Sequence, residues 1–252
     1  MTRRAAAMLM LLLSALAGFA PAAAEEPLVA DLSSHLIAIT TGFTGTDVVL
    51  FGAVDGAEDN AGEVIVVVVR GPSNDIIVRR KQRVMGIWIN RDQVRFNGTP
   101  SYYALASSRP FDSNLDATIL TPYGIGLDRM ALTPETAPGD LGDFRAALVR
   151  RKVEAGAYVS AVGQVAFLGN QLFRVNFHFP ANVPTGSYLI EVLLVRGGEV
   201  VSAQTTPLVI GKIGLGAEIY DFAHRHAAFY GLGAIAGALL AGFAAHLMFR
   251  RR

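Results

Sequence analysis

Several residue types that commonly carry chemistry are scarce in this 252-residue sequence, which has no cysteine, one tryptophan and five histidines. The absence of cysteine excludes disulfides, thiol catalysis, thiolate metal sites and cysteine-bound iron–sulfur clusters. The sequence also lacks a P-loop, a complete G-x-G-x-x-G motif, G-x-S-x-G and H-E-x-x-H. Because no recognisable catalytic nucleophile or base remains, we predict that the protein is not an enzyme and needs no cofactor.

Charged residues are also few, and the two signs nearly balance. Residues 25–212 contain 16 basic and 19 acidic side chains, which gives a net charge of −3. A nucleic-acid-binding surface needs a strong basic excess to neutralise phosphates. We therefore expect no nucleic-acid partner.

A long uncharged run near the end of the sequence, FYGLGAIAGALLAGFAAHLMF, covers residues 229–249. A helix of this length spans about 32 Å, which matches a hydrocarbon core of about 30 Å. The run therefore predicts a transmembrane helix in a lipid bilayer. The arginines of residues 250–252 follow as a basic stub, and positively charged flanks of a span stay cytoplasmic. Gly233 and Gly237 form a G-x-x-x-G motif that would let another membrane helix approach closely.

The N-terminal end has the three parts of a secretory signal peptide. Arg3 and Arg4 supply the positive region, residues 5–17 are a short apolar run, and residues 22–24 offer an A-x-A cleavage site. One interpretation is a signal peptide of residues 1–24 that is removed. The other is an N-terminal anchor that is retained.

Under either interpretation the two ends predict one topology. The chain between the ends is translocated, and with the signal peptide removed it would be a single-pass protein of the bacterial inner membrane with its ectodomain, residues 25–212, in the periplasm. Residues 213–228 would form a juxtamembrane segment, and residues 250–252 would lie in the cytoplasm.

The ectodomain is predicted to be mainly β. Short β-branched runs bounded by Gly, Asp and Asn are typical of strands, as in HLIAIT (35–40), DVVLFGAV (47–54) and EVIVVVVRG (63–71). The last run is apolar at consecutive positions, which predicts a strand covered on both faces. Turn signals lie at Asn97-Gly98, Gly169-Asn170 and Gly197-Gly198. About eight or nine short strands favour an immunoglobulin-like β-sandwich.

Two further features refine this prediction. Tyr188 opens a predicted strand after a Pro-rich crossing, where such sandwiches often place a tyrosine whose hydroxyl bonds to the chain upstream. A partly helical insertion interrupts the strands at residues 114–158. Within it, Phe144 and Leu148 recur at helical spacing in a helix predicted near residues 140–154, and Asp140 is a plausible N-cap.

Candidate binding residues come from two places. His35 and His178 fall in predicted strands and are candidate ligands for copper or zinc; the alternative is a local hydrogen bond for each. Tyr102, Tyr103 and Arg109, within SYYALASSRPF, suit a partner-recognition surface. The alternative for these three is a segment packed over the edge of a sheet.

A basic cluster lies in IVRRKQRV, which contains Arg79, Arg80, Lys81 and Arg83. These side chains suit the binding of an anion or of acidic lipid headgroups. The alternative is structural, because Arg and Lys also protect exposed edge strands from pairing with other chains.

Several stretches together, LSSHLIAITTGFTGTDVVLFGA, VVVVRGP followed by VRRK, GIWIN, YYALASSRP and the closing span with its basic end, resemble one family. It is an uncharacterised family of alphaproteobacterial transmembrane proteins, and the resemblance covers nearly the whole chain. It implies the same topology and brings no activity and no catalytic residues. It also implies an association with permease-type membrane proteins, of the sulfite-exporter type.

Two classes of function compete. The first is a membrane-anchored periplasmic accessory protein that binds another membrane protein through its sandwich surface and loops. The alternative is a periplasmic metal- or small-ligand-binding protein, for which the two strand histidines are the candidate ligands. Glycine-rich loops on a rigid β scaffold, held close to the bilayer by one span, favour the first.

Overall fold

The computed structural model describes residues 27–55, 63–111, 119–136 and 139–250. Strand accounts for 49% of the described residues and helix for 23%, so this part of the protein is mainly β, as predicted. The predicted signal peptide, residues 1–24, lies outside the described residues, as do Arg251 and Arg252 of the basic stub.

The described residues form thirteen strands and three α-helices. The strands are β1 (Leu28–Leu32), β2 (Leu36–Ile39), β3 (Gly45–Val54), β4 (Glu63–Arg70), β5 (Ser73–Val84), β6 (Ile87–Pro100), β7 (Tyr103–Ser107), β8 (Thr133–Pro134), β9 (Gly163–Gln164), β10 (Ala166–Leu168), β11 (Leu172–Pro180), β12 (Gly186–Arg196) and β13 (Glu199–Lys212). The helices are α1 (Leu141–Glu154), α2 (Leu215–Arg225) and α3 (Ala227–Phe249).

The strands form three sheets. Sheet A has the order β1-β3-β11-β10, sheet B the order β2-β13-β12-β4-β7-β9, and sheet C the order β5-β6-β8. Leu50 and Phe173 of sheet A belong to the same buried cluster as Val67 and Tyr188 of sheet B. Sheets A and B therefore pack face to face around one core.

Strand β4 is buried on both faces, as its consecutive apolar residues predict. Ile65, Val67 and Val69 face the core shared with sheet A. Val66 and Val68 face a second core on the other side, which α1 and the hairpin of β5 and β6 also line. Two cores require side chains from both faces of one strand, which is why this stretch does not alternate with polar residues.

Helix α1 begins at Leu141 and ends at Glu154, close to the predicted bounds. It buries Phe144 and Leu148, two of the residues predicted to recur on its apolar face. Asp140 occupies the predicted N-cap position, but its side chain forms no capping hydrogen bond. Its carboxylate instead forms an ion pair with Arg80 of β5.

Two of the three turn predictions are confirmed, at Gly169-Asn170 between β10 and β11 and at Gly197-Gly198 between β12 and β13. The third is wrong, because Asn97-Gly98 lies inside β6 at a bulge. There the N–H of Gly98 donates to the carboxylate of Asp75, 3.2 Å away. The turn of this hairpin is Met85-Gly86, and both of its residues have positive φ.

Tyr188 has the predicted corner contact. It lies near the start of β12 and is fully buried, and its hydroxyl donates to the carbonyl oxygen of Pro184 at 2.7 Å. The bond connects β12 to the chain four residues upstream, which fixes the crossing from β11 to β12.

The C-terminal part of the chain is helical. After β13, α2 and α3 follow with a break in backbone conformation at His226, where φ is −127° and ψ is 48°. Helix α3 has 23 residues and is the single described helix long and apolar enough to cross a membrane. It contains the whole of the predicted span, residues 229–249.

Candidate functional site

The hairpin of β5 and β6, residues 73–100, is here called the arm. Its ladder continues that of β4 and β7 without a gap: the N–H of Gly71 donates to the carbonyl of Tyr102 and the N–H of Ser101 to that of Pro72, both at 2.8 Å. Each strand of the arm has at least 12 residues and is therefore about 40 Å long. The arm, which supplies two strands of sheet C, therefore continues the ladder of β4 and β7 in sheet B.

The register of sheet B shows from which end the arm leaves. Arg70, the last residue of β4, pairs with Leu189 of β12, and Leu189 pairs with Pro207 of β13. Strands β4 and β13 therefore run in the same direction and end at the same end of sheet B. The arm continues from β4, and α2, which leads to α3, follows β13, so both segments leave sheet B from one end.

Helix α1 holds the base of the arm. Phe144 and Leu148 belong to the same core as Val94 and Phe96, which lie on the inner face of β6. The guanidinium of Arg80 lies 4.5 Å from the ring centre of Phe144 and also forms ion pairs with Asp140 and Asp143. Packing and charge together fix the lower half of the arm against the rest of the domain.

The far end of the arm, residues 81–91, is here called the tip, and it is apolar and exposed. Its large apolar side chains are those of Val84, Met85, Ile87, Trp88 and Ile89, all of them classed as exposed. Met85 is 97% exposed and Trp88 is 64% exposed. These five residues are consecutive in sequence except for Gly86, and they form the end of two paired strands. So many exposed apolar side chains in one place are unusual for a protein surface.

Basic side chains surround the tip. Residues 79–92 contain five basic residues and one acidic residue, a net charge of +4 in a region that is otherwise slightly acidic. Within the described part of the chain, Lys81, Arg83 and Arg91 form no ion pair with a carboxylate. Arg80 has the structural role described above, and β5 is an edge strand of sheet C, as the structural alternative for this cluster requires.

A second exposed apolar surface crosses the outer face of sheet A and is here called the sheet A row. Val29 of β1 pairs with Ala53 of β3, Ala53 with Leu172 of β11, and Leu172 with Leu168 of β10. Val29 and Leu172 are more than half exposed, and Phe51 adds an exposed ring beside the row. The row spans all four strands of the sheet.

The candidate metal ligands His35 and His178 each have a local partner. A ring nitrogen of His35 lies 2.9 Å from Asp31, and one of His178 lies 2.7 Å from Asp47, its cross-strand neighbour. Within residues 27–55, 63–111, 119–136 and 139–250, no three His, Asp or Glu side chains come together as metal ligands would. The local hydrogen bond is thus present for each histidine, and the metal site remains a prediction.

The candidate recognition residues Tyr102 and Tyr103 are in the core, not on the surface. The hydroxyl of Tyr102 donates to the carbonyl of His178 at 3.1 Å, and that of Tyr103 accepts from the N–H of Gly126 at 2.8 Å. Burial raises the pKa of Tyr102 to about 12 and also raises that of Tyr103. Of this group only Arg109 is exposed, so the tyrosines support packing, as the alternative interpretation proposed.

The two glycines of the G-x-x-x-G motif lie one turn apart on α3. Neither Gly233 nor Gly237 has a described atom near the space that a side chain would occupy. This side of the helix is therefore open to another helix, although glycine is common in apolar spans in any case.

Sequence reasoning identified the basic cluster of β5 but missed the tip of the arm as a candidate site. The signal was present in VMGIWIN, where the single tryptophan and four other apolar residues surround a glycine and basic residues flank them. Alternation within a strand predicts that one face is buried, and here neither face of the tip is covered.

The fold and these surfaces define a class: a mainly β domain followed by one C-terminal membrane helix, with its exposed apolar residues on an arm and a sheet face. A sequence-family model described as "Putative transmembrane protein (Alph_Pro_TM)" matches residues 27–251. The chain belongs to this family of transmembrane proteins, which is alphaproteobacterial by name. No curated protein matches the chain.

Proposed function

We propose that the protein is a non-catalytic accessory protein of the bacterial inner membrane. Its β-rich domain, with an immunoglobulin-like arrangement of sheets A and B, lies in the periplasm and binds another membrane protein, of the permease type. The span keeps the domain within reach of proteins in the same bilayer, so a modest contact surface is enough for association.

The sheet A row is the observation that carries this proposal. Val29, Phe51 and Leu172 expose apolar side chains on a rigid four-stranded face, next to Arg174 and Asp31. Exposed apolar groups rimmed by charged ones are typical of protein–protein contact surfaces. A flat, rigid face suits stable association because little conformational entropy is lost on binding.

The span supplies a second place where the partner can bind. Gly233 and Gly237 leave one side of α3 without side chains, so a helix of a multi-pass partner can approach its backbone. Contact at both places would hold the domain in one orientation on the partner.

The topology is tested first. Protease added to spheroplasts should digest nearly all of the chain and leave the membrane helix with its short basic end. Protection of the domain would overturn the periplasmic location.

The partner is tested by cross-linking in native membranes, followed by mass spectrometry of what co-purifies. We expect a specific permease with the natural chain and its loss with Leu172→Glu, which places a charge in the sheet A row. Leu189→Glu is the matched control, because Leu189 is equally exposed but lies on sheet B. Equal loss with both variants, or no specific co-purifying protein, would contradict the proposal.

The same membranes test the role of the span and the alternative function. Gly237→Ile should weaken association in a membrane two-hybrid assay because its side chain fills the open side of α3. Metal analysis of the purified protein tests the alternative. Stoichiometric copper or zinc that is lost in the His35→Ala, His178→Ala double variant would replace the accessory proposal by metal binding.

A further inference from the structure

We propose that the tip of the arm docks on the anionic surface of the membrane in which α3 is anchored, so that the protein contacts its bilayer at two places. The apolar side chains of the tip would enter the interfacial layer, and the basic side chains around them would contact lipid phosphates. This proposal depends on the transmembrane assignment and is independent of the accessory function.

Direction is the first argument. The arm and the segment that leads through α2 into the membrane helix leave sheet B from the same end, because β4 and β13 run in the same direction and are linked in register through β12. The unbroken ladder at Gly71 and Ser101 makes the arm continue from that end rather than fold from another. Its length of about 40 Å is enough to reach the bilayer surface from a domain tethered there.

The chemistry of the tip is the second argument. Trp88 is amphipathic, and tryptophan concentrates at the level of lipid headgroups. The register places Val84 opposite Ile87 and Gln82 opposite Ile89, so one face of the tip is mostly apolar, and it places Trp88 opposite Arg83 on the other face. Lys81 lies on the same face as Arg83. An apolar face next to uncompensated positive charge complements an anionic headgroup layer.

Backbone conformation at the apex is the third argument. Met85 is the only described residue other than glycine with a positive φ, at 50°. A two-residue turn of this kind favours Asn or Gly at that position, so methionine costs the fold about 1 kcal/mol there. A residue that is 97% exposed and unfavourable for its backbone contributes nothing to the core. An exposed apolar side chain on an unfavourable backbone conformation indicates a contact with a partner or surface outside the domain.

The base of the arm is rigid enough to present the tip. Arg80 connects β5 to α1 through Asp140, Asp143 and the ring of Phe144. Lys81 and Arg83, one and three residues further on, form no ion pair within the described residues. The charge of Arg80 is thus neutralised within the protein, and those of Lys81 and Arg83 remain available to a ligand.

The single tryptophan of the chain makes the test direct, because fluorescence from the full-length protein reports Trp88 alone. The protein is placed, one copy per disc, in lipid nanodiscs of phosphatidylcholine with or without phosphatidylglycerol. With phosphatidylglycerol we expect a blue-shifted emission, quenching by brominated lipid and reduced quenching by aqueous acrylamide. High salt should reverse these changes.

Two matched pairs of substitutions complete the design. Lys81→Gln with Arg83→Gln should lower the docking equilibrium about 25-fold, since each basic residue near the surface contributes about fivefold. Arg150→Gln with Arg151→Gln removes two exposed charges from α1 and should leave docking unchanged. Met85→Asn should make the turn more favourable and yet weaken quenching by brominated lipid.

Three results would overturn the proposal. The first is Trp88 emission that does not respond to phosphatidylglycerol. The second is equal loss of docking in the tip and α1 double variants. The third is protection of Trp88 that develops only when several copies, or a second protein, share the same membrane, which would assign the tip to a protein contact.

Discussion

Gly52 offers a sharp test of how sheets A and B pack. It lies on the inner face of β3, opposite Phe173 of β11 and next to the backbone of Val29. A Cβ at this position would lie 2.5 Å from the Cζ of Phe173 and 2.6 Å from the carbonyl oxygen of Val29. Both distances are well below ordinary van der Waals contact, so Gly52→Ala should destabilise the domain.

The loss of stability depends on whether the Phe173 ring and the Val29 backbone can move away from the added methyl group. The Phe173 ring is buried in the core and lies against Phe167, with ring centres 6.3 Å apart. The Val29 oxygen belongs to β1. Gln204 holds the next residue of this strand, because its side-chain amide accepts from the N–H of Ala30 and donates to the Ala30 carbonyl. Since neither neighbour yields easily, we expect a loss of about 3 kcal/mol, at the upper end for overpacking. For a domain of this size the melting temperature should fall by about 6–12 °C.

The assay uses full-length protein in detergent micelles, with thermal unfolding followed by near-ultraviolet circular dichroism of the buried tyrosines. Trp88 is unsuitable as a probe, because it is exposed at the tip. Gly42→Ala is the control, since nothing lies within 4 Å of its added Cβ. Gly163→Ala should fall between the two, with its Cβ 3.2 Å from that of Ala106. A melting temperature for Gly52→Ala within one degree of the natural protein would refute the reasoning.

Three further predictions use the same unfolding assay. Tyr188→Phe removes the hydroxyl that binds the Pro184 carbonyl and should cost about 0.5–1.5 kcal/mol; an unchanged melting temperature would show that this corner adds no stability. Arg80→Ala should cost about 1 kcal/mol by freeing α1 from the arm, whereas Arg79→Ala, without an ion pair in the described structure, should cost nothing measurable. Burial raises the pKa of Tyr102 from 10.0 to about 12, so its neutral form stabilises the fold fully below pH 10, and stability should fall as the pH rises from 10 towards 12. An absorbance change near pH 10 that is lost in Tyr102→Phe, while the domain stays folded, would contradict this last expectation.

The sequence predicted those parts of the fold that depend on local pattern. Residues 65–69 of β4 are all apolar, and a strand can bury all of them only if it lies between two cores. The structure shows this arrangement. The spacing of Phe144 and Leu148 predicted α1 within a residue or two. Glycine followed by asparagine or by a second glycine, as in Gly197-Gly198, predicted tight turns because few other residues adopt a positive φ.

The errors came from contacts that no local pattern contains. Asn97-Gly98 is a stronger turn signal than Met85-Gly86, but the burial of Val94 and Phe96 against α1 sets the register of the arm and leaves Gly98 in a bulge. Asp140 resembles a cap, yet Arg80, 60 residues away in sequence, takes its carboxylate. The tyrosine pair resembled a recognition surface because the partners of the two hydroxyls are distant in the chain.

The position of β4 between two cores has a consequence for how the domain opens. Val67 contacts the core shared with sheet A, and Val68 contacts the core shared with α1 and the arm, so neither core can be exposed without disrupting the same strand. The sandwich and the helical region should therefore unfold in one cooperative transition and not as two subdomains. In hydrogen exchange the amides of β4 should be the slowest of the chain and should exchange only by global opening, while those of the arm tip exchange by local fraying.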